Sequence, residues 1–176
     1  MVGFWSLNLL KGVVVKRILL TLMIVLIPLG FVGTTATDAE AGLGLGLHYL
    51  NTLGDITDHA EFDSSAFGFL AAYSLGAGLI NFEVDLEWIP DYAFGKDMIE
   101  PSAYAFVGGF IYGGLGIGIG HINSEWQSDP FYAIRAGVKF AFLDVFASYR
   151  FQKWSDLEGV ESDDLNAITF GAMFKF

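Results

Sequence analysis

Between Ile80 and Trp88 the chain alternates apolar and polar residues without a break. Ile80, Phe82, Val84, Leu86 and Trp88 fall on one side, and Asn81, Glu83, Asp85 and Glu87 on the other. A repeat of two places successive side chains on opposite faces of a β-strand, whereas a helix would scatter both sets around its circumference. The same repeat runs through most of the sequence. Leu43, Leu45, Leu47 and Tyr49 alternate with Gly42, Gly44, Gly46 and His48, and Phe67, Phe69, Ala71 and Tyr73 with Gly68, Leu70, Ala72 and Ser74. Tyr132, Ile134, Ala136, Val138 and Phe140 oppose Arg135, Gly137 and Lys139 within 131–142. In 144–153, Val145, Ala147, Tyr149 and Phe151 oppose Phe146, Ser148, Arg150 and Gln152. In 165–176, Ile168, Phe170, Ala172, Phe174 and Phe176 oppose Thr169, Gly171, Met173 and Lys175. With segments near 102–112 and 113–123 this makes eight strands of about ten residues, the length a tilted strand needs to cross a bilayer.

Ser102–Gly120 carries no charge and could be taken for a membrane helix, but seven of its residues are glycine. Each costs about 1 kcal/mol in a helix interior relative to alanine. A hairpin turning at Tyr112-Gly113-Gly114 accommodates them, with Tyr104, Phe106 and Phe110 assigned to the outer face of the fourth strand. The connections alternate in length. Links at about 52–65, 90–101, 124–130 and 153–164 are long and polar; those at 75–78, around Gly113 and at 142–144 are tight. Long loops on one side and short turns on the other are the pattern of a transmembrane β-barrel. The expected fold is all-β, an eight-stranded antiparallel up-and-down barrel.

The beginning of the chain differs. Lys11, Lys16 and Arg17 precede the uncharged run Ile18–Val32, which leads to small residues and an Ala39-Glu40-Ala41 triplet. A basic start, a short apolar core and an A-x-A exit describe a cleavable signal peptide. Fifteen residues rising about 1.5 Å each fall short of a hydrocarbon core of about 30 Å. Residues 1–41 are therefore expected to be removed, leaving 42–176 as the barrel domain.

The chain has 20 acidic and 9 basic residues and a net charge of −11. That excess argues against a nucleic-acid partner, which calls for cationic groups. The absence of cysteine rules out disulfides and zinc–thiolate sites. Assigning charges by location gives the four long loops 14 acids against Lys96 and Lys153, with Glu100 counted among the loop acids. The strands and tight turns then carry Glu83, Asp85, Glu87 and Asp144 against Arg135, Lys139, Arg150 and Lys175, and are neutral. A wall that is apolar outside and charged inside suits lipid, and closure leaves no strand edge unpaired. Eight strands enclose only enough room for side chains. Glu83, Asp85, Glu87, Arg135, Lys139, Arg150 and Lys175 are accordingly expected to form a charge-paired lumen network. Tyr49, Trp88 and Trp154 at outer strand ends, and Phe140 with Phe142, Phe174 and Phe176 at inner ends, would form aromatic girdles. Asp55, Asp58, Glu61 and Asp63 in the first long loop gather oxygen donors that could bridge divalent cations to lipopolysaccharide phosphates. They lack the glycine-centred EF-hand spacing, and no resident metal or cofactor is expected.

The last strand carries the family resemblance. Thr169-x-Gly171-x-x-Phe174-x-Phe176 resembles the terminal signal by which outer-membrane barrels are handed to the barrel-assembly machinery. Chain length, leader and this ending together resemble the small outer-membrane β-barrel superfamily that includes the OmpA transmembrane domain and OmpX. The resemblance implies a monomer in the outer membrane of a Gram-negative bacterium, in contact with outer-membrane lipid and lipopolysaccharide. It implies a structural or surface-interaction role without catalysis. A narrow porin-like channel for small solutes is the alternative. A lipid-A-modifying barrel enzyme is a further one: His121-Ile122-Asn123-Ser124 inverts the deacylase order of Ser and Asn, while the corresponding seventh-strand run is Tyr149-Arg150-Phe151-Gln152, without nucleophile or base. Intact-mass measurement of the protein purified from membranes is expected to show a chain beginning at Gly42.

Overall fold

The computed structural model describes residues 39–53, 64–93, 95–122, 125–127, 129–154, 163–164 and 166–176. Residues 1–38 of the expected leader, the acids of the first long loop and Asp156, Glu158 and Glu161 lie outside the described residues, while Ala39, Glu40 and Ala41 begin the first strand. Twelve strands are present among those described. They are β1 (Ala39–Leu53), β2 (Ser65–Ala77), β3 (Ile80–Ala93), β4 (Lys96–Gly108), β5 (Ile111–Gly118), β6 (His121–Ile122), β7 (Glu125–Trp126), β8 (Phe131–Phe140), β9 (Leu143–Phe151), β10 (Lys153–Trp154), β11 (Asp163–Asp164) and β12 (Asn166–Lys175).

Eight of these form the wall, in the order β3-β2-β1-β12-β9-β8-β5-β4, and β3 pairs with β4 to close the ring. The ladders described residue by residue are antiparallel throughout. Leu43 and Phe176 exchange both backbone hydrogen bonds at 2.9 Å, so the final residue is stitched to the first strand. Closure satisfies the backbone groups that lipid cannot. No helix among the described residues is long and apolar enough to cross a membrane.

The facing expected for the first three and the last three strands is observed. Leu43, Leu45 and Leu47, Phe67 and Phe69, Phe82 and Leu86, Leu115, Tyr132 and Ile134, Val145 and Phe151, and Phe170 and Phe174 all stand exposed on the outer wall. The fourth strand is the exception. Tyr104 and Phe106 point inward and are buried, while Ala105 and Val107 face out; only Phe110 is exposed as expected. The reason lies on the neighbouring strand. A Cβ on Gly114 would sit 2.4 Å from the Phe106 ring, and one on Gly116 2.3 Å from Tyr104. The glycines of β5 are the space that these two rings fill.

Two turns also move. The β4–β5 hairpin reverses at Gly109-Phe110, with Gly108 opposite Tyr112, so Tyr112 points inward. The expected long link over 90–101 is mostly strand, because β3 and β4 stay paired through Trp88–Ile99 and Ile89–Met98. At the tip the Trp88 Nε1–H donates to Asp97 Oδ2 at 3.1 Å, and the Asp91 amide donates to Asp97 Oδ1 at 3.2 Å. Asp91, at φ 50°, absorbs the register shift there. The fifth strand ends early at Gly118, and its continuation folds into the small β6–β7 hairpin against β4.

Replacing Gly116 by Val is expected to overpack the Tyr104 ring and to cost about 1–3 kcal/mol. The urea midpoint of the refolded barrel reads this directly. Shortening Tyr104 to Leu in the same chain is expected to recover part of the loss.

Candidate functional site

The interior is layered. Near the ends of the strands that lead into the long loops, Leu50, Ile89, Tyr92, Met98 and Ala167 form an apolar cluster, with Ala66 and Ile122 packed against it. Tyr92 and Thr52 share a hydrogen bond of 3.3 Å there. Beyond it lie the charges. A second cluster fills the spaces around and below them, built from Leu70, Ala72, Tyr104, Phe106, Tyr112, Phe131, Ala133, Phe146 and Met173.

Arg135, from β8, is 1% exposed, and its carboxylate partners lie on β3. Its Nη1 donates to Asp85 Oδ2 at 2.7 Å and to Glu83 Oε1 at 3.2 Å, and its Nη2 lies 3.6 Å from Glu87 Oε1. The guanidinium carbon stands 3.8 Å from the Tyr104 ring centroid and 4.5 Å from that of Phe146. Planar delocalised charge stacks on aromatic faces in this way, and the inward turn of Tyr104 supplies one of those faces. Arg150, from β9, bridges two strands: Nη1 donates to Glu100 Oε2 on β4, and Nη2 donates to Glu87 Oε2 on β3 at 3.1 Å. The Phe131 ring lies 4.2 Å from its guanidinium carbon.

Toward the short-turn end, Lys175 Nζ donates to Glu83 Oε2 at 2.5 Å and lies 3.1 Å from Asp144 Oδ2. The Tyr112 hydroxyl donates to Asp144 Oδ1 at 2.7 Å. Lys139, register partner of Asp144, holds its ammonium 4.9 Å from the Tyr112 ring centroid. A contiguous chain of ion pairs therefore runs from Asp144 and Lys175 through Glu83, Arg135 and Glu87 to Arg150 and Glu100.

All seven residues expected in the lumen network face inward. Six of them meet through the ion pairs just described, and Lys139 joins at the rim through Tyr112. Glu100 corrects the expected charge map, since it is fully buried inside the ring. The carboxylate lies two residues before Ser102 on the inward set of β4, so the alternation carries it inside once the strand begins at Lys96. His48 and Asp144 complete the set. His48 Nε2 is 3.5 Å from Glu87 Oε2. Both residues follow the inward alternation of their strands, which is the signal that would have placed them.

The terminal signal residues divide by facing. Thr169 and Gly171 point inward, Gly171 against the Phe146 ring; Phe174 and Phe176 point out, and Phe174 stacks on Phe142 at 5.9 Å. The girdle residues Tyr49, Trp88 and Phe140 are exposed, Tyr49 against Phe67, Trp88 against Phe69 and Phe140 edge-on to Phe110. Trp154 lies in β10, opposite Asp163. His121 is on the outer wall beside Trp126, ring centroids 4.9 Å apart. Among the described residues no cluster of three or more His, Asp or Glu side chains is arranged to hold a metal.

No family model and no curated protein matches the chain. Solved structures do. Neisserial surface protein A aligns at 13% identity over 79% of this chain and 99% of its own, with a TM-score of 0.51. The chain has the fold of the small eight-stranded outer-membrane β-barrels. A de novo designed transmembrane β-barrel aligns at 11% identity and TM-score 0.49, over 77% of this chain and 95% of its own. Ail, the attachment invasion locus protein of Yersinia pestis, solved with the heparin analogue sucrose octasulfate, aligns at 14% identity and TM-score 0.45, over 80% of this chain and all of its own.

Replacing Arg150 by Leu is expected to strand Glu87 and Glu100 without their shared counter-charge. Breaking a buried pair from one side costs about 3–5 kcal/mol, so the thermal unfolding midpoint in detergent should fall clearly.

Proposed function

We propose that the protein is an integral outer-membrane barrel of a Gram-negative bacterium. It acts as a structural or surface-interacting element, with a filled, charge-paired interior and no catalysis. The observation that carries this reading is the inverted distribution of polarity. Large apolar side chains stand exposed on all eight wall strands, while carboxylates and guanidinium groups are buried within. Water would favour the reverse arrangement; lipid favours this one. Outer-membrane lipid and lipopolysaccharide are then the immediate surroundings of the outer wall. The aromatic pairs Tyr49–Phe67 and Phe69–Trp88 lie at one interface, and Phe110–Phe140 and Phe142–Phe174 at the other. The terminal Phe174-Lys175-Phe176 edge, paired to β1 in the finished barrel, is what the barrel-assembly machinery would receive. The protein is proposed to work as a monomer, with the long loops facing the exterior.

A narrow channel is the second reading. The ion pairs of Arg135 and Arg150, and the aromatic rings packed on them, occupy the space a solute would need, which favours the closed form. The refolded protein should migrate faster on gels before boiling than after it, and planar bilayers containing it should give flat current traces. Single-channel steps would instead establish the porin-like reading, and changes in lipid A mass on expression would establish an enzymatic one.

A further inference from the structure

The interior places five carboxylates, Glu83, Asp85, Glu87, Glu100 and Asp144, with four bases, Arg135, Arg150, Lys139 and Lys175, among the described residues. The surplus negative charge has a location. Lys139 and Lys175 stand at the rim with Asp144 and Glu83, and Arg135 makes its shortest ion pair with Asp85. That leaves Arg150 as the hydrogen-bonded counter-ion shared by Glu87 and Glu100, with Arg135 farther from Glu87 at 3.6 Å. These two carboxylates are direct register partners on β3 and β4, the arrangement in which like charges oppose pairing. Both are nearly completely buried, and Glu100 Oε1 makes no hydrogen bond to the protein.

His48 closes the group from β1. Its ring occupies the space over Gly68, where a Cβ would come within 2.0 Å of Nε2, and it is held against Glu87. Neither ring nitrogen makes a hydrogen bond to the protein, although the residue is 2% exposed. The other charged or titratable groups facing the trio are Asp85 and Tyr92 from β3, Tyr104 from β4, Arg135 from β8 and Arg150 from β9. From β2 and β12 come Gly68, Thr169 and Gly171, which do not titrate. Two carboxylates facing each other across a ladder and sharing Arg150 in a water-poor interior are relieved by binding a proton.

We propose that Glu87, Glu100 and His48 form a buried proton-binding site, and that one proton held there at neutral pH makes the interior electroneutral. The ligand is a proton; the carboxylate pair carries it, with His48 as the adjoining acceptor. An unfolded chain releases that proton, since free glutamate and histidine titrate near about 4.3 and 6.5. Above neutrality the folded state therefore binds one proton more than the unfolded state, and stability falls as pH rises.

The test is the urea unfolding equilibrium of the refolded barrel, measured at several values between about pH 7 and pH 9. The folded-to-unfolded ratio is expected to drop by up to tenfold per pH unit. Glu100→Gln removes the surplus acid and should flatten that dependence, and so should Glu87→Gln. A ratio independent of pH in the unaltered protein, or a slope unchanged by both substitutions, overturns the proposal. Infrared spectroscopy of the unaltered barrel gives a reading that needs no variant to fold. A protonated carboxyl band at neutral pH that disappears on alkalinisation while the barrel stays folded supports the site, and its absence overturns it.

Discussion

Two guanidinium groups, those of Arg135 and Arg150, stand where the carboxylates of β3 and β4 converge, and the rest of the interior is arranged around them. Lipid imposes the closed ring, since an open sheet edge would leave backbone groups unsatisfied. A ring of eight strands leaves an interior no wider than side chains, and any charge placed there must find its partner inside. Arginine suits that task because its fork can serve two carboxylates at once while its faces lie against aromatic rings. Arg150 joins the neighbouring strands β3 and β4 from across the ring. The electrostatic network thereby ties opposite sides of the barrel wall together.

Packing follows from the same constraint. The rings that contact Arg135 need room, and β5 provides it by presenting glycine at successive inward positions. Met173 similarly fills the space beside Gly44 and Gly46 on β1. Glycine is abundant in this chain, at 22 residues, because large inward side chains on one strand require small ones on the next. The exposed face has no such restriction and carries leucine, isoleucine and phenylalanine freely.

Much of this was legible in the sequence. The alternation in β3, β8, β9 and β12 has charges on one side only, so their facing and the lumen positions of Glu83, Asp85, Glu87, Arg135, Lys139, Arg150 and Lys175 could be read directly. The fourth strand gave no such contrast. Tyr104 and Phe106 on one face and Ala103, Ala105 and Val107 on the other are all apolar, and only the glycines across the ladder decide between them. Glu100 was hidden because Pro101 and neighbouring acids resemble a loop, while the strand in fact continues to Lys96, paired to β3 as far as Trp88 and Ile89. His48 looked like one more inward position until the ladder brought it against Glu87. Pairing between distant strands creates these relations, and local periodicity carries no record of them.

The apolar layer of Leu50, Ile89, Tyr92, Met98 and Ala167 lies across one end of the interior, whereas Lys175 reaches toward water at the other. The barrel is therefore closer to a cup than to a tube. Among the described residues, only at the short-turn end do inward charges, Lys139 and Lys175, keep part of their side chains exposed, so salt or acidity on that side would reach the network first. An interior charged evenly from end to end would have no such sense of direction; this one acquires it from five buried side chains.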